Sequence, residues 1–331
     1  MAKVVFYCND EKENISIFEY YAQDITAIEA LGHEVIVCTR YREIPLNFDY
    51  IFVWWWTYAL VPVIFAKMIG AKSIVTGAFN FRFPKGFEGI DYFSRPLWQR
   101  FLISSAAKLA DVNIFINDFE ENDCKVFFDL KRTYISPCVV GEDYFNNSKE
   151  VEGDFLFNIA WSGKDNLVRK GIPELLDAIK ILKSRGREVK LKLAGKKGDG
   201  FEWLQNKIET LGLSSNVELL GKITFEQKLN LLRKCILYVQ PSHYEGFGLG
   251  IAEAMSSSCC VVTCDAGAVR SVVGEAGVYS NNRDSIDLAD KIEMLLIDKK
   301  LRLKIQSDAY ARALESFSPK SKIKLFSEIF N

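Results

Sequence analysis

Residues 236 to 264, ILYVQPSHYEGFGLGIAEAMSSSCCVVTC, constrain the fold more than any other stretch of the chain. A β-branched run leads into a glycine-punctuated loop, Pro241 to Gly248. Small and apolar residues at helical spacing follow, and then a second buried strand run. Strand, loop, helix and strand in this order place the loop at the carboxyl edge of a parallel sheet. Gly246 and Gly248 carry no Cβ, so the backbone there can approach a ligand closely where the helix begins near Leu249, with its free amides toward an anion. Glu245 stands in the loop, and Glu253 lies eight positions on, in the helix's second turn. Amides and helix dipole suit phosphate oxygens, while carboxylates accept hydrogen bonds from hydroxyls. A sugar attached to a phosphate meets both requirements. For either glutamate alone, an ordinary βα turn is an equally good reading.

The segment PSHYEGFGLGIAEAM resembles the E-x7-E signature of the large retaining glycosyltransferase family of GT-B fold, usually called family 4, the glycosyl transferases group 1. The resemblance implies an α/β chain of two Rossmann-like, doubly wound domains facing a central cleft. In that family the second glutamate, here Glu253, binds the nucleotide ribose, and the first, here Glu245, contacts the donor sugar. The Lys170-Gly171 pair before a helix resembles the family's phosphate-binding lysine. Six residues earlier, where members often have arginine after glycine, this chain has Gly163-Lys164. Lysine keeps the charge there and loses the bidentate fork. Arg169 is an adjacent substitute for either cation. The turn from Gly221 to Thr224 corresponds to the loop beside the nucleotide base, which makes Lys222 and Ile223 candidate base contacts. Phe247, with Gly246, Gly248 and Leu249, would supply amides to the diphosphate. Asp265-Ala266-Gly267-Ala268 resembles the family's D-x-G-G turn with its second glycine replaced.

At 331 residues the chain has room for two domains, each with its own core. The expected division is 1–145, an acceptor-side domain, and 146–316, a donor-side domain. Residues 317–331 form a helix expected to cross back to the first, and the polar stretch Gly141 to Gly153 serves as linker. A net charge of -1 gives no reason to expect nucleic-acid binding. No run of eighteen uncharged apolar residues occurs, and MAKVVFYCND opens directly on a strand, so the expected location is cytoplasmic. Eight scattered cysteines, without a C-x-x-C pairing, read as reduced core thiols.

The first half opens as βαβ: strand Lys3 to Cys8, a polar loop Asn9 to Asn14, helix Ile17 to Leu31, strand Glu34 to Cys38. Tyr50 to Val53 is the next strand, Tyr58 to Ile69 a helix, Ser73 to Thr76 a fourth strand. Between them, Trp54, Trp55 and Trp56 cannot all face one core from a strand. Core packing at a strand end is one reading; an aromatic platform for an acceptor sugar, through Trp55, is the other. Gly77 to Trp98 interleaves Arg82, Lys85 and Arg95 with aromatic residues and is broken by proline and glycine. It reads either as a lid over the acceptor or as a surface in peripheral contact with the inner face of a membrane. Many family members carry a histidine after the fourth strand; here Gly77, Ala78, Phe79 and Asn80 stand there, which makes Asn80 a candidate sugar contact and, with Trp55 and Arg82, an acceptor-site candidate.

Taken with these features, the resemblance implies a retaining, metal-independent hexosyltransferase. It would move a sugar from a nucleotide-diphosphate sugar, UDP- or GDP-linked, to a glycan or lipid-linked acceptor in cell-surface polysaccharide or glycoconjugate synthesis, without a further cofactor. Lys164 and Lys170 would stabilise the leaving diphosphate and Glu245 would orient the sugar. The alternative is a catalytically inactive nucleotide-sugar-binding relative acting as a partner subunit.

Overall fold

The computed structural model describes residues 1–17, 19–77, 81, 91–145 and 153–331; the expectations for Asn80, Arg82, Lys85 and most of the linker fall outside these residues. The chain forms two compact units, Met1–Val139 with Ser318–Asn331, and Val140–Phe317. The first boundary therefore lies six residues before the expected one. Val140 already donates its amide to the Phe317 carbonyl at 2.8 Å, and the Val140 and Tyr144 side chains are part of the second unit's core.

The strands of the first unit are β1 (Lys3–Cys8), β2 (Glu34–Cys38), β3 (Tyr50–Trp54), β4 (Lys72–Thr76), β5 (Val112–Phe115) and β6 (Thr133–Ile135). All pair in parallel, in the order β2-β1-β3-β4-β5-β6. Its first five helices are α1 (Lys12–Ile17), α2 (Glu19–Ala30), α3 (Leu60–Ile69), α4 (Leu97–Leu109) and α5 (Asp118–Phe127). Alternate strand residues enter opposite cores. Val5, Ile51, Val53 and Val75 pack toward α3 and α4, whereas Val4, Phe6, Phe52 and Ile74 pack with residues of α2. Burial on both faces is why these strands read as nearly unbroken apolar runs.

Two local expectations change. Asn9 to Asn14 is not all loop: α1 begins at Lys12, and Asp10 Oδ1 accepts the Glu11 amide at 2.8 Å and Asn14 Nδ2 at 2.7 Å, which starts the turn. The helix expected from Tyr58 starts at Leu60, because Trp56–Tyr58 forms a separate 3-10 turn.

The second unit has β7 (Phe155–Ile159), β8 (Lys190–Ala194), β9 (Val217–Gly221), β10 (Leu237–Gln240), β11 (Val261–Cys264) and β12 (Val278–Ser280). They lie in the order β12-β11-β10-β7-β8-β9, again all parallel. The helices are α6 (Lys164–Arg169), α7 (Ile172–Ser184), α8 (Phe201–Thr210), α9 (Phe225–Lys234), α10 (Leu249–Ser256), α11 (Val269–Val273), α12 (Ser285–Ile297) and α13 (Lys299–Phe317). Strand order reverses between β7 and β10. Such a reversal, where the chain leaves neighbouring strands toward opposite faces of the sheet, is where open α/β sheets bind ligands at the carboxyl ends of the strands.

The last helix, α14 (Pro319–Ile329), belongs to the first unit and packs on α2. The Ser318 hydroxyl caps it by accepting the Ser321 amide at 3.3 Å. Phe326 and Ile329 complete the α2-side core, and the buried Lys322 ammonium pairs with the buried Asp24 carboxylate. Trp54 Nε1 donates to the other Asp24 oxygen at 2.8 Å.

Candidate active site

The loop that follows β10 sits at the strand-order reversal, and two glycines on its neighbours let it pack there. A Cβ on Gly171 would lie 2.0 Å from the Pro241 carbonyl oxygen, and one on Gly267 would lie 2.3 Å from the Glu245 carbonyl oxygen. Both glycines also have positive φ, 68° and 63°. Any side chain at either position would push the loops apart. The segments after β7 and β11 thus clasp the Pro241–Gly248 loop backbone against backbone, and Ala268 donates its amide to Glu245 O at 2.9 Å. On the β7 side, His243 donates its amide to Arg169 O at 2.8 Å. The His243 ring is buried with Nε2 3.2 Å from Glu174 Oε2, a contact without hydrogen-bond alignment.

The segment SGKDNLVRKG winds into α6, which ends by presenting Arg169 and Lys170 to Glu245. Lys170 Nζ is 2.6 Å from Glu245 Oε1, and Arg169 Nη1 is 3.1 Å from Oε2. Gln240 Nε2 and Ser242 Oγ also donate to Oε1, at 3.0 and 2.8 Å. Gln240 is fixed in turn by the Tyr238 hydroxyl, which donates to its Oε1 at 2.7 Å. Burial leaves Glu245 only 6% exposed and by itself raises its pKa, but Lys170 first, then Arg169 and Ser242, bring it below the ordinary carboxylate value. Glu245 is ionised and fully engaged with two cations.

At the start of α10 the Gly248 carbonyl accepts the Ile251 and Ala252 amides at 2.8 and 3.1 Å. The amides of Leu249 and Gly250 precede these and have no backbone acceptor among the described residues. Phe247 is half-buried, edge-on to Phe317 at 5.8 Å, and Leu249 is exposed. Glu253 forms a separate cluster. Its Oε1 accepts from Lys228 Nζ and from the Tyr144 hydroxyl, both at 2.8 Å, and the Lys228 ammonium lies 5.1 Å from the Tyr144 ring centroid. Its Oε2 has no partner among the described residues.

Lys164, by contrast, stands exposed at the first position of α6. Its amide bonds Asp199 Oδ1 at 3.0 Å, and its ammonium meets no carboxylate among the described residues. Gly163 precedes it, with Trp161 ring atoms 2.8 Å from where a Cβ would be. Lys222 is exposed and Ile223 half-buried in the turn before α9, whose capping box pairs Thr224 with Gln227. Thus the structure joins Arg169, Lys170 and Glu245, and leaves Lys164 and Lys222 facing solvent. Four residues were not anticipated. Gln240 and Ser242 were detectable as polar positions at the end of an otherwise apolar strand; Tyr144 and Lys228 carried no sequence signal.

In the first unit, Trp55 has φ 79°, outside the range ordinary side chains prefer. That reversal sends Trp54 and Trp56 into opposite cores, although residues two apart on a strand share a face. Trp55 itself stays half-buried at the end of β3, its Nε1 donating to the Tyr21 hydroxyl at 2.6 Å. Tyr21 donates to Asp10 Oδ2 at 3.1 Å.

Residues 163–312 match the sequence model of the family Glycosyl transferases group 1. An uncharacterized glycosyltransferase of Methanocaldococcus jannaschii is 32% identical over 167 residues, which cover 48% of this chain and 44% of that protein. The N,N'-diacetylbacillosaminyl-diphospho-undecaprenol alpha-1,3-N-acetylgalactosaminyltransferase of Campylobacter jejuni is 25% identical over 286 residues, covering 78% of this chain and 70% of the relative. In structure, Anabaena Alr3699/HepE, solved in complex with UDP and glucose, superposes with a TM-score of 0.72 at 18% identity, covering 100% of this chain and 99% of the other. The match to the archaeal relative thus spans less than half of that protein's length, and the structural likeness bears on the fold alone. Residues 163–312 thus resemble the glycosyl transferases group 1, and the two parallel α/β units have the GT-B fold of the structural neighbours.

Proposed function

We propose that the chain transfers a sugar from a nucleotide-diphosphate sugar, with retention of anomeric configuration and without a metal ion, to a glycan or lipid-linked acceptor in surface-polysaccharide or glycoconjugate synthesis. The observation that carries this reading is the convergence of Arg169 and Lys170 on the buried Glu245 at the point where strand order reverses, beside α10. Two cations balanced by one carboxylate leave the cluster net positive, as a diphosphate requires. The amides of Leu249 and Gly250 and the exposed Lys164 would add donors as charge grows on the departing nucleotide. UDP or GDP is the expected leaving group, and Lys222 and Ile223 would lie beside its base.

In the proposed step the bond between the anomeric carbon and the diphosphate oxygen breaks, and the acceptor hydroxyl oxygen bonds that carbon from the same face. The hydroxyl proton passes to the diphosphate oxygen that has just left. Glu245 would orient the sugar while holding Lys170 and Arg169 in place, and Glu253 would receive the ribose hydroxyls on Oε2, which has no partner among the described residues. Trp55, with Asn80 and Arg82, remains the acceptor-side assignment. The Campylobacter relative's name describes a diphospho-undecaprenol-linked substrate, which supports a lipid-linked acceptor and work at the inner membrane face. Among the described residues no helix is long and apolar enough to cross a membrane, so any such attachment would be peripheral.

A panel of UDP- and GDP-sugars, tested in EDTA with anomeric NMR of the product, decides the reading. Retained configuration without added metal is expected. Inversion, or activity restored only by magnesium or manganese, rejects the mechanism. Tight nucleotide binding without turnover of any donor would identify an inactive partner subunit instead.

A further inference from the structure

Helices α3 and α4 lie side by side on one face of the first sheet, and both are built inside out. Their inward positions are largely small, with Ala66 on α3 and Ala106 and Ala107 on α4 buried beside Val63 and Ile103. Their outward positions carry the large apolar side chains. On α3, Val61, Ile64 and Met68 follow the i, i+3, i+7 spacing of one stripe, and Met68 is 78% exposed. On α4, Leu97, Trp98 and Phe101 are 77%, 60% and 64% exposed. A surface helix in water normally turns its polar residues outward. Two neighbouring helices that carry large apolar side chains outward as well as inward present exposed apolar surface of the kind that marks a contact site.

Charge decides what covers it. Residues 50–110 contain seven lysines and arginines and only two acidic residues, in a chain whose net charge is -1. Neither α3 nor α4 contains a carboxylate. Lys108 is exposed among the apolar residues, as is Lys67, which pairs with Asp111 at 3.6 Å just beyond α4, and the Arg100 guanidinium lies over the Tyr92 and Phe93 rings at 5.1 and 5.4 Å. A second copy of the chain docking here about a two-fold axis would bring this positive surface against itself. An anionic lipid surface would neutralise it instead. Its interfacial zone also suits exposed indole and phenyl rings flanked by lysines whose ammonium groups reach the headgroups.

We propose that the α3–α4 face of the first unit is a docking surface for an anionic lipid bilayer, with Trp98 and Phe101 as its insertion anchors. The inference does not depend on the glycosyl-transfer reading, and its test needs no turnover. The full-length chain is co-sedimented with phosphatidylcholine vesicles and with vesicles containing phosphatidylglycerol, and UDP affinity is measured in parallel. Binding to the anionic vesicles, weakened but not abolished by salt, is expected. Replacing both anchors, as in W98Q/F101Q, should weaken it on the order of a hundredfold while UDP affinity is unchanged. Absence of binding to the anionic vesicles overturns the inference. So does equal binding by the double variant, or a dimer of the free chain that W98Q/F101Q dissociates. A second variant, V61S/M68S, checks the α3 half of the surface and should also reduce binding; retention of full binding would reject the contribution of that helix.

Discussion

Lys170 Nζ lies 2.6 Å from Glu245 Oε1, and this contact ties the segment after β7 to the loop after β10, the two neighbouring strands at which the second sheet changes order. The carboxylate is almost fully buried, so its stabilisation depends on its partners rather than on water. Removing one partner of a buried pair costs about 3–5 kcal/mol, because the other charge is left unpaired. Arg169 remains at 3.1 Å, so Lys170→Met should fall toward the lower end of that range. The double variant K170M/E245Q should regain most of the loss. Urea denaturation of the wild type, K170M, E245Q and the double variant closes the cycle; strictly additive changes would mean that the pair is not coupled.

The same carboxylate gives stability a definite pH dependence. Although burial raises the Glu245 pKa, Lys170 and Arg169 pull it below the ordinary 4.5. A group whose pKa is lower folded than unfolded contributes stability that is present above its unfolded pKa and lost as pH falls through its folded pKa. Stability should therefore fall on acidification below about pH 4.5, and Glu245→Gln should flatten that part of the profile while lowering stability at neutral pH. Chemical denaturation at a series of acidic pH values checks this. An unchanged acid slope in E245Q would assign the transition to other carboxylates.

Tyr144 and Lys228 both hold Glu253 Oε1, and Oε2 has no partner among the described residues. Under the proposed reading, Tyr144→Phe should raise the donor KM roughly two- to tenfold with little change in kcat, the effect of one lost hydrogen bond. Glu253→Gln should act in the same sense and more strongly, whereas Glu245→Gln should mainly lower kcat. Preference for UDP over 2′-deoxy-UDP should shrink in Y144F. Equal weakening of both nucleotides would assign Tyr144 a purely structural part.

The sequence showed clearly what local chemistry determines. Strands β1 to β4 and the helix α10 lie where hydrophobic period and turn residues place them, because each is specified by its own ten or so residues. The E-x7-E stretch exposed the loop and helix of the site in the same way. What it did not show is produced by contacts between distant residues. Tyr144 reaches Glu253 across 109 positions, and Glu245 meets Lys170 across 75, so neither partner's geometry is encoded near the other. Helix α6 was missed for a different reason: at six residues it is too short to display a period, and its position is fixed by Arg169 and Lys170 docking on the loop after β10.

The Trp55 backbone offers a test of how the first unit positions its aromatic cluster. Its φ of 79° and ψ of 106° place a Cβ-bearing residue in a conformation that glycine adopts without strain. The indole is held there by the Tyr21 hydroxyl, and the chain continues through Tyr21 to Asp10. Trp55→Ala removes the ring and its hydrogen bond but keeps the Cβ in the strained conformation. Trp55→Gly removes all three. The glycine variant should therefore be the more stable of the two by about 1 kcal/mol, the reverse of the order on an ordinary strand, where glycine is the less stable by a similar amount. Urea midpoints of W55A and W55G, compared at equal m-value, measure the difference directly. If alanine proves the more stable, φ at position 55 is not a fixed feature of the fold. If glycine is the more stable yet both lose acceptor turnover equally, the ring itself contributes to the acceptor side, separately from the backbone turn it occupies.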